Sequence, residues 1–176
     1  MKWPVKKTKR FLPKKGEIGG FLQDRGDRKH CGIDIYAPKN TPVVAIQSGK
    51  VVLVDTFTSP ELISYWNKTF QIIIKAESGL FYRYAELHDT CVKNNDMIHE
   101  GETLGHIGQV LNTERIDNRS PDYIQRLKKQ RHDCMLHLEI YDSKPEKNDN
   151  YLGGNWFGKH RPNHIRDPAE ILKKII

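Results

Sequence analysis

Long apolar runs are missing from this sequence. No stretch of its 176 residues approaches the ~20 consecutive apolar positions that a membrane-crossing helix needs. Cysteine is scarce as well. Cys31, Cys91 and Cys134 cannot all pair within one chain, and an odd number fits a reducing compartment. No secretory signal is evident at the start. The first residues are basic, but Gly16–Gln23 is too polar and glycine-rich to supply the roughly 7–15-residue apolar core of a signal peptide. That predicts a chain that stays in the cytoplasm or is exported by another route. Repeats with a period of roughly 20–50 residues are missing, as are low-complexity linkers. What remains is the composition of one soluble globular domain, 37% hydrophobic and 29% charged. A chain of this length can bury about 70% of its surface without a disulfide or a metal.

Acidic residues are absent before Glu17, whereas Lys2, Lys6, Lys7, Lys9, Arg10, Lys14 and Lys15 precede it. These seven account for the whole formal charge of +7, so the body is formally neutral. The division expected is a basic N-terminal arm over residues 1–18 and a single domain over 19–176. The arm reads either as a solvated tail or as a binder of an anionic polymer such as wall teichoic acid, nucleic acid or lipid headgroups. Trp3, Phe11 and Leu12 suggest that part of it packs down. No nucleic-acid reading motif accompanies the charge, so a specific nucleic-acid partner is not expected.

Most structural signals are short strands and tight turns. Val43–Ile46 and Lys50–Val54 flank Gln47-Ser48-Gly49 and predict a hairpin. Gln71–Lys75 and Leu80–Ala85 around Glu77-Ser78-Gly79 predict another. Short strands are expected at Cys91-Val92, Met97-Ile98 and Thr103–Ile107, with a clear strand of period two at Leu136–Tyr141. Helical signals are few. Ser120-Pro121-Asp122 starts one helix, about 121–129, and Asp167-Pro168 starts another, about 168–174. The pattern predicts a mainly antiparallel β domain with minor helices.

Chemistry concentrates in two places. His30 and Asp34 sit four positions apart in His30-Cys31-Gly32-Ile33-Asp34, and imidazole and carboxylate are both common zinc ligands. Along the closing strand His137 and Glu139 share a face, as does Met135. His137 is the natural third ligand. Two nitrogens and one carboxylate leave zinc an open fourth position, the arrangement of a catalytic site. Zinc there would lower the pKa of bound water and polarise a carbonyl oxygen.

His30-Cys31-Gly32-Ile33-Asp34, Ala37-Pro38, Thr41-Pro42-Val43, Ala45 and Gly49-Lys50-Val51 resemble the first half of the lysostaphin-type zinc endopeptidases. Tyr84-Ala85-Glu86-Leu87, Val92, Asp96, Gly101 and Leu104–Gly108 resemble the family's middle, and Leu136-His137-Leu138-Glu139 its closing strand. The likeness covers roughly residues 19–141. It implies an antiparallel β-sheet, a barrel-sandwich hybrid with a groove over it. It also implies zinc held by His30, Asp34 and His137, and hydrolysis of peptide bonds in bacterial peptidoglycan. Relatives of this kind are usually secreted or found at the cell envelope.

Two departures qualify the likeness. Met135 stands where the family usually has the first His of His-x-His, and Glu86 stands where it has the His of Tyr-Ala-His-Leu. A thioether cannot move protons near neutral pH. A carboxylate beside activated water can, so Glu86 is the candidate general base. His88 and His132 are weaker substitutes for the missing histidines. His160 and His164 carry helical metal-ligand spacing, but Pro162 between them argues against a helix. Cys31 is expected to be packed rather than ligating, and Glu139 to brace a ligand or nearby backbone. The family's short crossing before the closing strand is here an insertion, 109–133, which either walls the groove or packs away from it. Residues 142–166 are expected to form a long loop on the body.

The leading expectation is a zinc metallopeptidase acting on peptidoglycan or a related peptide. The alternative is an inactive zinc-binding domain that binds wall peptides or regulates another wall enzyme. A biotinyl- or lipoyl-carrier barrel is disfavoured, because no Lys sits at a hairpin tip between Met or Ala residues.

Overall fold

The computed structural model describes residues 1–6 and 8–176; Lys7, one of the arm's basic residues, lies outside them. Three long strands form the spine. They are β4 (Gly49–Thr58), β5 (Thr69–Ala76) and β6 (Phe81–Thr90), paired antiparallel in chain order. Ile72, Ile73 and Ile74 of β5 are all buried although they alternate in direction, so both faces of the sheet are covered there.

At Glu86 the strand β6 changes partner. Its first half, Phe81–Ala85, pairs with β9 (Cys134–Tyr141), and its second half, from Leu87, pairs with β8 (Thr103–Gln109). The fork carries β2 (Ile33–Tyr36) on β9 and β3 (Pro42–Val44) on β8. β7 (Met97–Ile98) closes one edge against β4, and β12 (Ile165–Arg166) the other against β9. A second small sheet is made by β1 (Lys29–His30), β11 (Asn155–Trp156) and β10 (Tyr151–Leu152). The fold is mainly β and antiparallel, as the short β-branched runs predict.

The first expected hairpin does not form. Val43 pairs with Gly105 rather than with β4, and the ten residues of β4 find their partners in β5 and β7. Ala45 and Ile46 run between the two as buried connecting residues, with the Ala45 N–H donating to the Glu102 carbonyl. Local turn chemistry lost there to a longer complementary strand. Cys91 and Val92 lie just past the end of β6 and are not a strand of their own.

Both helices form with adjusted ends. α1 (Asp122–Gln130) begins after Pro121, which provides no side-chain cap, while the Ser120 hydroxyl accepts the Asp117 N–H instead. α2 (Pro168–Leu172) is capped by Asp167, whose carboxylate accepts the Ala169 N–H at 2.9 Å, and runs into a 3-10 turn over Lys173–Ile175. At the N-terminus Trp3 and Val5 join the main core and Val5 pairs with Val43, whereas Phe11 is 69% exposed. Residues 142–166 are not one loop. They contain β10 and β11, which fold over the β2–β9 region, and β12.

Candidate metal centre

Asp34 on β2 and His137 on β9 are directly opposite partners across the sheet, and Ala85 on β6 flanks His137 on its other side. Gly32 is what lets the strands approach: a Cβ there would collide with the Leu138 carbonyl. His30 arrives from β1, held by its N–H to the Gln23 carbonyl at 3.0 Å. The three side chains meet at one point. His30 Nε2 lies 3.0 Å from His137 Nδ1 and 3.2 Å from Asp34 Oδ1, and the last two are 3.0 Å apart.

The outer atoms of each group set its orientation. His30 Nδ1 is 2.9 Å from the Gly20 carbonyl, an acceptor, so that nitrogen carries the proton and Nε2 turns its lone pair inward. His137 Nε2 is 2.9 Å from Glu139 Oε1, which leaves Nδ1 as the inward donor. Asp34 Oδ2 accepts Arg25 at 3.1 Å, leaving Oδ1 for the centre. Two imidazole nitrogens and a carboxylate oxygen converging in this way are a donor set for a small divalent metal ion.

Behind the centre lies a buried polar chain. Glu139 accepts from Arg83 at 2.6 Å, from the Tyr141 hydroxyl at 2.5 Å and from the Tyr151 hydroxyl at 2.8 Å. Burial alone would raise the Glu139 carboxyl, but the Arg83 charge and the His137 bond pull it down to about 2. Burial opposes charge on His137, yet its bonds to Asp34 and Glu139 prevail and raise it to about 10. His30 goes the other way: burial, then the nearby Arg25 cation, lower it to about 4.

Glu86 stands at the fork of β6 with φ 63°, a left-handed conformation that costs a non-glycine residue about 1–3 kcal/mol. The residue is 8% exposed, and its Oε2 has no hydrogen-bond partner among the described residues. Burial, and then the charge of Asp34, push its carboxyl up to about 8. A strained backbone and an unpartnered buried carboxylate beside converging donors mark a position kept for something other than packing.

His88 lies where β6 shifts register on β8 and is exposed, whereas Glu86 is buried. His132 stacks on Tyr36 with ring centres 4.3 Å apart. Cys31 is buried in the core, its thiol raised by burial. His160 and His164 lie at a separate cavity behind the centre.

Met135 has become core. It is 2% exposed and packs in a second apolar cluster with Tyr65, Trp66, Ile116, Tyr123, Ile124 and Leu127. The last three belong to α1, so the insertion rests on the position the sequence comparison flagged as a lost histidine. Tyr123 also stacks under Arg25, with the guanidinium 4.8 Å from the ring centre. The insertion therefore packs toward the centre, and the gap between Arg25, Gln23 and α1 measures only about 10 Å³.

The sequence profile of peptidase family M23 matches residues 28–148, well over half of the chain, and that span holds His30, Asp34, Glu86, His137 and Glu139. The chain belongs to peptidase family M23. The cell division protein DipM of Caulobacter vibrioides is 27% identical over 103 residues, 58% of this chain and 16% of DipM, so the match spans a small part of that relative. The fold is shared with solved M23-like structures. The catalytic domain of the antimicrobial peptidase lysostaphin from Staphylococcus simulans superposes with a TM-score of 0.50 at 20% identity, covering 82% of this chain and 80% of that one. LytU gives 0.53 at 21% identity over 96% and 92%. A zinc-containing peptidase from Vibrio cholerae gives 0.51 at 22% identity over 78% and 35%.

Sequence reasoning missed several neighbours of this candidate centre. Arg25, Arg83, Tyr151 and Gly154 carried no local signal, because each becomes relevant only when distant strands meet. Gly154 illustrates this. With φ 76° it lies over the His137 ring, where a Cβ would come within 2.6 Å of Cε1 and Nε2.

Proposed function

We propose that this chain is a zinc-dependent endopeptidase of the cell envelope that hydrolyses peptide bonds of peptidoglycan or a related peptide. His30, Asp34 and His137 hold the metal and Glu86 acts as general base. The observation that carries the reading is the convergence of His30 Nε2, Asp34 Oδ1 and His137 Nδ1 within 3.2 Å, with every outer atom already partnered. Zinc bound there supplies Lewis acidity toward the scissile carbonyl.

The chain's own groups do the rest. Glu139 accepts the His137 Nε2–H and fixes that ring's tautomer. Glu86 takes a proton from the attacking water at its free Oε2 and returns it to the departing amine. A carboxyl raised to about 8 suits that exchange near neutral pH. Tyr123 and Arg25 exclude bulk water from above.

Metal analysis of the purified protein, paired with digestion of cell-wall sacculi, tests the reading. We expect one zinc per chain and release of soluble muropeptides. Glu86→Gln should abolish release while keeping zinc, and His137→Ala should lose both. Full activity in Glu86→Gln overturns the role of Glu86.

A second reading is favoured by one observation: the donors are buried and α1 covers them from the direction of Met135. In it, the domain binds zinc and wall peptides, or regulates another wall enzyme, without cleaving. Stoichiometric zinc with no muropeptide released from several wall types would support it.

A further inference from the structure

Behind the metal centre lies a cavity of about 680 Å³ that the peptidase reading does not use. This volume falls within the range of small-ligand sites. Its walls are aromatic, from Tyr141, Tyr151 and Trp156, and Arg83 contributes to its lining. Arg83 is 6% exposed, and its Nε is buried without a hydrogen-bond partner among the described residues. Lys144 and Arg161 add cations at the cavity against the single acid Glu146. A cavity of aromatic rings and polar side chains, cationic at Lys144 and Arg161 and backed by an Arg83 that pairs with Glu139 yet keeps an unpartnered Nε–H, selects for an anion on a ring-sized body. Guanidinium pairs best with planar carboxylate or with phosphate. The aromatic faces suit a carboxylate-bearing small molecule more than a bare ion.

We propose that this cavity is a binding site for a small carboxylate ligand, with the acid group received by Arg83, Lys144 and Arg161 and the body resting on Tyr151 and Trp156. The proposal stands apart from the peptidase reading, because it needs neither metal nor hydrolysis. It also gives the 142–166 segment a role beyond covering the body. Tyr151 and Arg83 both contact Glu139, so the site adjoins the chain of bonds that ends on His137.

The test is a titration of the full chain followed at the Trp156 indole N–H by NMR, with and without chelator. Three probes are compared. N-acetylmuramic acid carries a carboxylate on an amino-sugar ring, N-acetylglucosamine is the same ring without the acid, and D-alanyl-D-alanine carries the acid on a peptide. We expect a saturable shift with N-acetylmuramic acid, none with N-acetylglucosamine, and an affinity at least about tenfold weaker in Lys144→Glu/Arg161→Glu. Tighter binding of the dipeptide would keep the carboxylate site and assign its source to peptide ends. Equal binding of the neutral sugar, unchanged affinity in the double variant, or no saturable shift with either acid overturns the proposal. Zinc content and muropeptide release are measured on the same samples, so a failure here is separable from a failure at the metal centre.

Discussion

His137 Nε2 and Glu139 Oε1 lie 2.9 Å apart, two residues along one strand, with both side chains buried. Glu139 is therefore the group that decides which His137 nitrogen faces inward. Replacing it with Gln keeps the shape but removes the charge that offsets Arg83 and orients the imidazole. We expect zinc affinity to fall by about 10–100-fold, the usual effect of losing such a brace. Competition against a chromogenic chelator measures this. Unchanged affinity would show that Gly154 and the sheet alone orient the ring.

Gly154 offers a second, steric handle on the same ring. Its Cβ would sit 2.6 Å from His137 Nε2 and Cε1, and its φ of 76° disfavours any side chain. Gly154→Ala should displace either the hairpin or the imidazole. The expected result is loss of most bound zinc with the circular dichroism of the β domain retained. Full zinc content in a folded Gly154→Ala protein would mean that the hairpin yields without moving His137.

Much of this site was legible in the sequence because it rests on strand alternation. The sharing of a face by His137 and Glu139 follows from period two, and their hydrogen bond realises it. The His30–Asp34 spacing likewise survives, since Gly32 allows β2 to lie close on β9. Other features depend on what strands do at a distance. That Glu86 occupies a fork with positive φ cannot be read from Tyr84-Ala85-Glu86-Leu87, since it arises where β8 and β9 compete for one strand. The expected Val43–Val54 hairpin failed for a related reason, with long-range pairing outweighing a good local turn. Arg83 reads as one more strand residue until Glu139 arrives opposite it.

The Glu86 carboxyl makes stability depend on pH in a definite direction. In the fold it is raised to about 8, against an ordinary value of 4.5. Between those values the folded chain binds more protons than the unfolded one, so stability falls as pH rises from about 4.5 to 8. Glu86→Gln has no such group. In chelator-treated protein the variant should gain on wild type progressively across that window, by an amount on the order of a few kcal/mol at its upper end. Urea unfolding at pH 5 and pH 8 for both proteins measures the difference. A constant offset between them would show that Glu86 stays ionised in the fold.

Closure of the centre by α1 predicts slow metal exchange. Tyr123 is buried between the second apolar cluster and the Arg25 guanidinium, and Arg25 in turn holds Asp34 Oδ2. Truncating the ring removes a packed aromatic, worth about 3–5 kcal/mol to local stability, and frees Arg25 to swing away. Tyr123→Ala should therefore accelerate chelator-driven zinc loss by at least about tenfold while leaving the equilibrium zinc content near one per chain, because no donor atom changes. If access through α1 also limits hydrolysis, muropeptide release should rise in the same variant. Stopped-flow chelation gives the first quantity and sacculus digestion the second. An exchange rate equal to wild type would mean that the metal leaves by another route, past the β10–β11 hairpin, and that α1 does not gate the centre.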